Sequence, residues 1–376
     1  MKLFKSLLVA PATLGLLAPM TATANELNLN DVSGYSSSEE IQNISAFNPA
    51  EELAVTNSRV DGLEARFNNF EAGSFSETTT ASFGVDFVVG AVDGGSTEKT
   101  TFDYQMGIGL ETSFTGEDSL GIAIDIGGGT PDTATETNQT AVGSIMGLDA
   151  TTDVMTVDGI AYSFPLGGTT VLVGDNTDIS GVYTGACSYS AFTDYMGNCG
   201  TGSSVGVGGN GATAAVSYAF DGGFSLAGGI SSDPTSILTE EGSDIFGIEA
   251  AYTGDSYGVS VAYADAETTT YWGVNGTYSF DALAVSVGLE SEDAGSDTAT
   301  GFFIGLSFPE VGPGSVDVGM GTTANFTDAQ TETYVYEASY AYPLNDGMTV
   351  TPGIYTKEID GADDETGVIV KTSFSF

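Results

Sequence analysis

Apolar and polar residues alternate with a period of two along most of the chain after Phe75. Residues 301–308 read GFFIGLSF and residues 334–342 read YVYEASYAY, so one face of each segment is apolar and the other is small or acidic. Successive side chains of a β-strand point to opposite faces, and this period therefore predicts strands. The predicted strands are 75–91, 99–114, 119–127, 152–164, 169–174, 212–220, 223–231, 244–253, 256–264, 270–280, 282–290, 299–308, 315–325, 331–342, 347–357 and 366–376.

The polar face of these segments is typical of a membrane protein rather than of a soluble sheet. A soluble sandwich usually exposes Lys, Thr and Glu, whereas here the polar face is small and acidic. Aromatic residues such as Tyr257 and Tyr263 lie near the segment ends, as in the girdles of a transmembrane barrel. In lipid a sheet satisfies its backbone only by closing on itself. We therefore predict an all-β fold, a transmembrane antiparallel β-barrel of about 16 strands, over residues 75–376.

The connections between the predicted strands alternate in length. The tight turns are 115–118, 165–168, 221–222, 253–255 and 343–346. The longer polar loops are 128–151, 175–211, 232–243, 291–298 and 358–365. Short periplasmic turns and longer external loops are typical of outer-membrane barrels.

The N-terminal quarter has a different organisation. Residues 1–24 have a basic start, a short apolar centre and a small-residue end, which predicts a secretory signal peptide rather than a retained membrane anchor. A polar segment, 25–50, follows. In 51–72, apolar residues recur at spacings of three, four and seven, which predicts a short coiled-coil helix. A single amphipathic helix lying on the barrel is the alternative.

The charge balance excludes several functions. Lys and Arg number seven against 51 Asp and Glu, and His is absent. Nucleic acid is therefore not an expected partner, because binding to its phosphates needs clustered Lys and Arg side chains. Without His, Ser-His hydrolase and protease chemistry and His-ligated zinc are excluded, and we expect no enzyme. A GxGxxG match at 206–211 is expected by chance among 52 glycines, so no cofactor or metal is predicted.

Cys187 and Cys199 are the only cysteines of the sequence and lie twelve positions apart. In a secreted chain this predicts a disulfide that closes a short loop. A metal site is the alternative, but two thiols without His and without CxxC spacing do not favour it.

If the apolar face points to lipid, the opposite face points into the barrel. Charges are costly on the lipid face, so strand acids are expected inside. Eight acids and one base are predicted to line the pore, and this excess of acids favours cations. Acids that only keep the interior wet are the alternative. The predicted pore-lining residues are Asp86, Asp103, Glu111, Asp125, Glu249, Glu290, Asp317, Glu337 and Lys371.

The long loop 175–211 is predicted to fold inward and narrow the channel, since long loops in compact barrels are usually functional. The Cys187–Cys199 bond would hold it in one shape. A loop that projects into solvent as a partner epitope is the alternative. The predicted constriction residues are Asp175, Asp178, Tyr183, Tyr189, Asp194 and Tyr195.

Four segments resemble the outer-membrane porins of marine cyanobacteria: MKLFKSLLVAPATLGLLAP at the start, ELNLNDVSGYSSS, SRVDGLEAR at 58–66 and FVVGAVDG at 87–94. In that family a surface-layer-homology (SLH) domain, which binds the cell wall, precedes the coiled coil. Here residues 41–49 run almost directly into Glu51, so the SLH domain is missing and the resemblance does not support peptidoglycan binding. The last strand, with Phe374 and Phe376, is similar to the signal that the barrel-assembly machinery recognises.

The resemblance and the strand pattern together predict a homotrimeric porin in the cell outer membrane, surrounded by lipid and lipopolysaccharide. We expect a passive diffusion channel for ions and small hydrophilic solutes, carbohydrates included, with a preference for cations. A structural or adhesive barrel with a plugged interior is the alternative.

Overall fold

The first and last strands of the described residues pair with each other, which closes the sheet into a barrel. The computed structural model describes residues 78–94, 98–128, 141–196, 211–239 and 244–376. Within them β1 (Thr79–Asp93) pairs with β2 (Lys99–Thr112) on one side and with β17 (Glu365–Ser375) on the other. The predicted closed antiparallel barrel is confirmed. The predicted signal peptide, polar segment and coiled coil lie outside the described residues.

The other strands follow one another around the wall in chain order. They are β3 (Ser119–Gly127), β4 (Thr156–Leu166), β5 (Thr169–Thr177), β6 (Gly211–Ala219), β7 (Phe224–Ser232), β8 (Asp244–Thr253), β9 (Tyr257–Ala266), β10 (Thr269–Ser279), β11 (Ala284–Asp293), β12 (Thr298–Val311), β13 (Gly314–Thr322), β14 (Phe326–Thr327), β15 (Tyr334–Asn345) and β16 (Met348–Lys357). The two-residue β14 pairs only with β12. Across the described ranges, sixteen long strands therefore form the wall, as the alternation predicts.

The apolar face of each strand points outward. In β8, Ile248 is 61% exposed while its neighbour Glu249 is 3% exposed. The pattern repeats on β9, where Val259 and Val261 are exposed and Ser260 is buried. An apolar outer face is the one that a lipid bilayer can cover. Many inner positions are small, polar or acidic, and larger apolar residues such as Val88 and Leu172 occur there where loop segments pack on the wall.

The two ends of the barrel differ. At one end, the short-turn end, two residues join β4 to β5, and Gly167 there has a positive φ of 68° that favours glycine. The other end, the long-loop end, carries the segments 128–155, 178–210 and 323–333. One connection at the long-loop end, 267–268 between β9 and β10, is short, which the sequence does not predict.

The C-terminal residues complete the closure at the short-turn end. Phe376 and Phe83 exchange two backbone hydrogen bonds of 2.9 and 3.0 Å, and their rings stack 5.7 Å apart. Phe374 lies edge-on to Phe87 at 6.0 Å. The two phenylalanines of the predicted assembly signal therefore lie on the seam between the first and last strands.

Helical structure is limited within the described residues. It consists of a five-residue helix, α1 (Ala141–Ile145), and two 3₁₀ turns, Ile179–Val182 and Asp194–Met196. No helix in these ranges has the length and apolar character that crossing a membrane would need.

The turn between β2 and β3 is organised by one carboxylate. Asp118 Oδ1 accepts hydrogen bonds from the Ser113 hydroxyl and from the Thr115 amide and hydroxyl, at 2.7–2.9 Å. Its Oδ2 accepts the Tyr162 hydroxyl at 2.7 Å. The Tyr162 hydrogen bond is the main reason that the pKa of Asp118 lies well below its usual range, although burial opposes this shift.

Replacing this carboxylate should weaken the barrel in a pH-dependent way. We expect Asp118→Asn to lower the temperature at which the folded barrel unfolds in detergent. Because the folded pKa of Asp118 is lowered, its stabilisation is present above the unfolded value, about 4, and is lost as the pH falls through the folded pKa. The gap from wild type should be largest near neutral pH and shrink in acid. Glu117→Gln, which alters the exposed neighbour, is the control; an equal loss in both variants contradicts the assignment.

Candidate channel interior

Residues 178–196, here named the inward loop, lie against the inner face of the wall. The loop begins with a 3₁₀ turn whose N-cap is Asp178, which accepts the Ser180 amide at 2.7 Å. Ile179 and Val182 then pack on Leu172 of β5 and Ala215 of β6, and all four are buried. This apolar contact fixes the start of the loop against β5 and β6.

A chain of hydrogen bonds continues around the wall. The Thr184 amide donates to Glu249 of β8 at 2.5 Å. The Ser188 amide donates to the Ser286 hydroxyl of β11 at 2.9 Å. The carbonyl of Ser188 accepts the hydroxyl of Ser307 on β12, also at 2.9 Å. Residues further along the loop are therefore bound to strands further around the wall.

Glu337 of β15 is the most heavily used anchor. Its carboxylate accepts the Phe192 amide at 2.7 Å, the Thr193 amide at 2.9 Å and the Thr193 hydroxyl at 2.5 Å. The Tyr189 hydroxyl is a fourth donor. Burial, together with the charge of Glu337, raises the pKa of Tyr189, so this hydroxyl stays protonated and able to donate.

The end of the loop is bound to β16 and β17. The Tyr195 hydroxyl donates to Glu365 at 3.2 Å, and Tyr355 donates to the same carboxylate oxygen at 2.8 Å. Lys357 Nζ lies 3.8 Å from the centre of the Tyr195 ring, a cation–π contact. Burial, and then the charge of Glu365, raises the pKa of Tyr195, which keeps this donor protonated as well.

Glycines in the wall make room for the loop aromatics. A Cβ on Gly305 would lie 2.2 Å from Cγ of Tyr189, and one on Gly319 would lie 2.3 Å from its hydroxyl oxygen. A Cβ on Gly353 would lie 2.4 Å from the Phe192 ring. These inward glycines on β12, β13 and β16, here named the glycine groove, can accept the loop because they have no side chains.

Part of the inner face of β1 to β4 is open instead. A cavity of about 540 Å³ lies between β1 and the end of β5, and a second of about 310 Å³ lies along β1 to β3. They share Ser82, Gly109 and Ala123, so they adjoin. A Cβ on Gly84 would come no closer than 3.9 Å to its nearest neighbour. We name the inner surface that lines these two cavities the open lane.

The open lane is acidic. Its carboxylates are Asp86, Glu111, Asp125 and Asp158, and none of the described residues lining either cavity is Lys or Arg. No group of three or more metal-ligating side chains occurs in the described part of the chain.

The predicted pore-lining residues all lie on the inner face, and seven of the nine fall into two groups. Asp86, Glu111 and Asp125 border the open lane. A second group is buried: Asp103, Glu249, Glu290 and Glu337 are each no more than 5% exposed. Asp317 accepts the Ser307 hydroxyl at 2.5 Å, and Lys371 faces inward beside Val88.

The residues of the predicted constriction loop lie in different surroundings. The predicted loop begins too early, because β5 continues to Thr177. Asp175 belongs to this strand, where it pairs with the outward-facing Ile160. Tyr183, Tyr189 and Tyr195 face the wall, whereas Asp194 is exposed. Cys187 is disulfide-bonded; Cys199 lies outside the described residues, and their pairing stays a prediction.

Removing the Glu337 carboxylate should release the inward loop. Glu337→Ala leaves two buried amides and two hydroxyls without an acceptor, at about 1–3 kcal/mol for each unpaired group. We expect hydrogen exchange at 188–196 to accelerate while the strands stay protected. Glu310→Ala, an exposed strand-end carboxylate, is the control. Unchanged protection of 188–196 in Glu337→Ala contradicts the anchor.

Comparisons with known proteins place the fold. No protein-family model matches the chain. An uncharacterized protein of Nostoc sp. is 36% identical over 96 residues, which are 25% of this chain and 17% of the length of that relative.

Solved structures give a wider match. OprB of Pseudomonas putida aligns with a TM-score of 0.62 at 12% identity, over 80% of this chain and 94% of OprB. A mutant of the Rh. blastica porin aligns with a TM-score of 0.51 at 19% identity, over 79% of this chain and all of the porin. At these identities the likeness shows the fold, and the chain has the barrel fold of these porins.

Proposed function

We propose that this protein is a porin, a passive channel of the outer membrane for ions and small hydrophilic solutes. The observation that carries this proposal is the open lane, because its two adjoining cavities lie inside a closed barrel whose outer face is apolar. The apolar outer face of such a wall can contact the lipid of a bilayer, and the polar surface of the lane can be hydrated. In this arrangement the short-turn end faces the periplasm and the long-loop end faces outward.

We further propose that the channel prefers cations. Four carboxylates and no described base border the lane, and Glu111 and Asp158 lie on different strands. Acids that line a low-dielectric pore focus a negative field, which concentrates cations and repels anions.

Ions and small solutes fit the lane better than specifically bound sugars. The inward residues that line the two cavities are small, polar or acidic. Phe374, the one aromatic residue among the described lining residues, has outward parity and packs its ring against Phe87, so it offers a sugar no stacking surface in the lane. Carbohydrates would then pass by size alone. The homotrimer, the contacts with lipopolysaccharide and the recognition of Phe374 and Phe376 by the assembly machinery stay predictions from the sequence resemblance.

A plugged structural barrel is the second candidate, because the inward loop fills the space beside β5 to β17. Conductance separates the two. We expect purified protein to give stepwise conductance in a planar bilayer, since the lane is left open beside the loop. A barrel that resists SDS until boiled, yet never conducts, would favour the plugged alternative.

Selectivity should follow the lane acids rather than the buried ones. We expect the combined change Asp86→Asn, Glu111→Gln and Asp125→Asn to move the reversal potential in a KCl gradient toward zero. Glu249→Gln is the matched control, because its carboxylate is buried and hydrogen-bonded to the inward loop. Equal shifts in the control and the triple variant, or no shift in either, would contradict the assignment of selectivity to the lane.

A further inference from the structure

A second segment from the long-loop end also folds into the barrel. Helix α1 packs Val142 and Ile145 against Val88 and Val92 of β1 and Ile369 of β17. All five are nearly or fully buried. The segment 141–149, here named the α1 segment, therefore has its own apolar contact with β1 and β17, in a buried cluster that Phe192 of the inward loop also joins.

Hydrogen bonds fix both ends of the α1 segment on β2. The Val142 amide donates to the Thr101 hydroxyl at 3.1 Å. The Asp149 amide donates to Oε1 of Gln105 at 3.0 Å, and Nε2 of Gln105 donates to Asp86 at 3.5 Å. Gln105 thus connects the end of the α1 segment to a carboxylate of the open lane.

The α1 segment lies where the lane meets the long-loop end. Gln105, Asp86 and Asp125 line the 310 Å³ cavity, and the α1 segment follows β2 from Gln105 toward Thr101 at the long-loop end. A Cβ on Gly147 would lie 3.0 Å from the Asp194 carboxylate of the inward loop. The two segments therefore contact each other beside the lane, near the long-loop end of the barrel.

We propose that the α1 segment is a second constriction element, which limits the size of solute that enters the lane, and that Gln105 positions it. This inference rests on the proposed channel function. The inward loop bounds the lane from the side of β5 to β17, and the α1 segment bounds its mouth from the side of β17, β1 and β2. Solute size is then set at the junction of the two segments rather than by the inward loop alone.

Two glycines on β1 allow a matched test. A Cβ on Gly90 would lie 2.8 Å from side-chain atoms of both Val142 and Ile369, so Gly90→Val should push α1 off the wall. Gly84 faces inward on the same strand with open space around it, so Gly84→Val should narrow the lane itself. We expect single-channel conductance in KCl to rise in Gly90→Val and to fall in Gly84→Val.

A loop replacement covers the case in which Gly90→Val does not fold. Residues 141–149 are exchanged for a Gly-Ser linker of equal length, and folding is checked by the mobility shift on boiling. Proteoliposome swelling then compares arabinose with the tetrasaccharide stachyose. We expect the linker variant to conduct more than wild type and to admit stachyose more readily. Gln105→Leu, which removes the acceptor of the Asp149 amide, should change both measurements in the same direction to a smaller extent.

The outcomes separate this inference from the proposed function. If wild type conducts and the folded linker variant shows the same conductance and size limit, the α1 segment is not a constriction and only this inference fails. If wild type is silent and the linker variant conducts, the segment does obstruct the path while the open channel is contradicted. Silence of both overturns both proposals.

Discussion

Backbone hydrogen bonding between β1 and β17 is the interaction on which the rest of the structure depends. A sheet in lipid has no water to satisfy its edges, so the first and last strands must pair. Phe83 and Phe376 make this pairing at the short-turn end, and Gly90 with Ile369 continues it toward the long-loop end. Closure fixes the side of every residue: once Ile248 faces outward, its neighbour Glu249 has to face inward.

A barrel of this size has an interior that its own wall side chains do not fill, and the chain treats the two sides of that interior differently. On β12 to β16 the inward glycines receive Tyr189 and Phe192, and Glu337 accepts hydrogen bonds from the Tyr189 hydroxyl and the Phe192 amide. On β1 to β3 inward glycines such as Gly84 and Gly121 stay uncovered, whereas Gly90, nearer the long-loop end of β1, lies beneath α1. Carboxylates follow this division in part: Glu249 and Glu337 hold the inward loop by hydrogen bonds, whereas Asp86, Glu111 and Asp125 border the open lane.

Much of the fold could be predicted from the sequence because the alternation of outward apolar and inward polar residues along each strand is local information. The strand 244–253, for example, has its predicted limits. The different roles of Glu249 and Asp86 could not be predicted, since both have inward parity and only long-range contacts bury one of them. The sequence does show glycines at the inward positions of the glycine groove, among them Gly305 and Gly319. Alternation alone, however, does not predict which aromatic side chain packs against each glycine.

The division of the interior into a covered and an open side is the central claim, and cysteine accessibility measures it directly. Ser82 lies exposed in the open lane, whereas Ser286 is buried beneath the inward loop. A positively charged methanethiosulfonate reagent added to an open channel should reduce the current rapidly in Ser82→Cys and leave Ser286→Cys unmodified, with wild type as the control. Equal modification rates at the two positions, or faster modification at Ser286→Cys, would contradict the account.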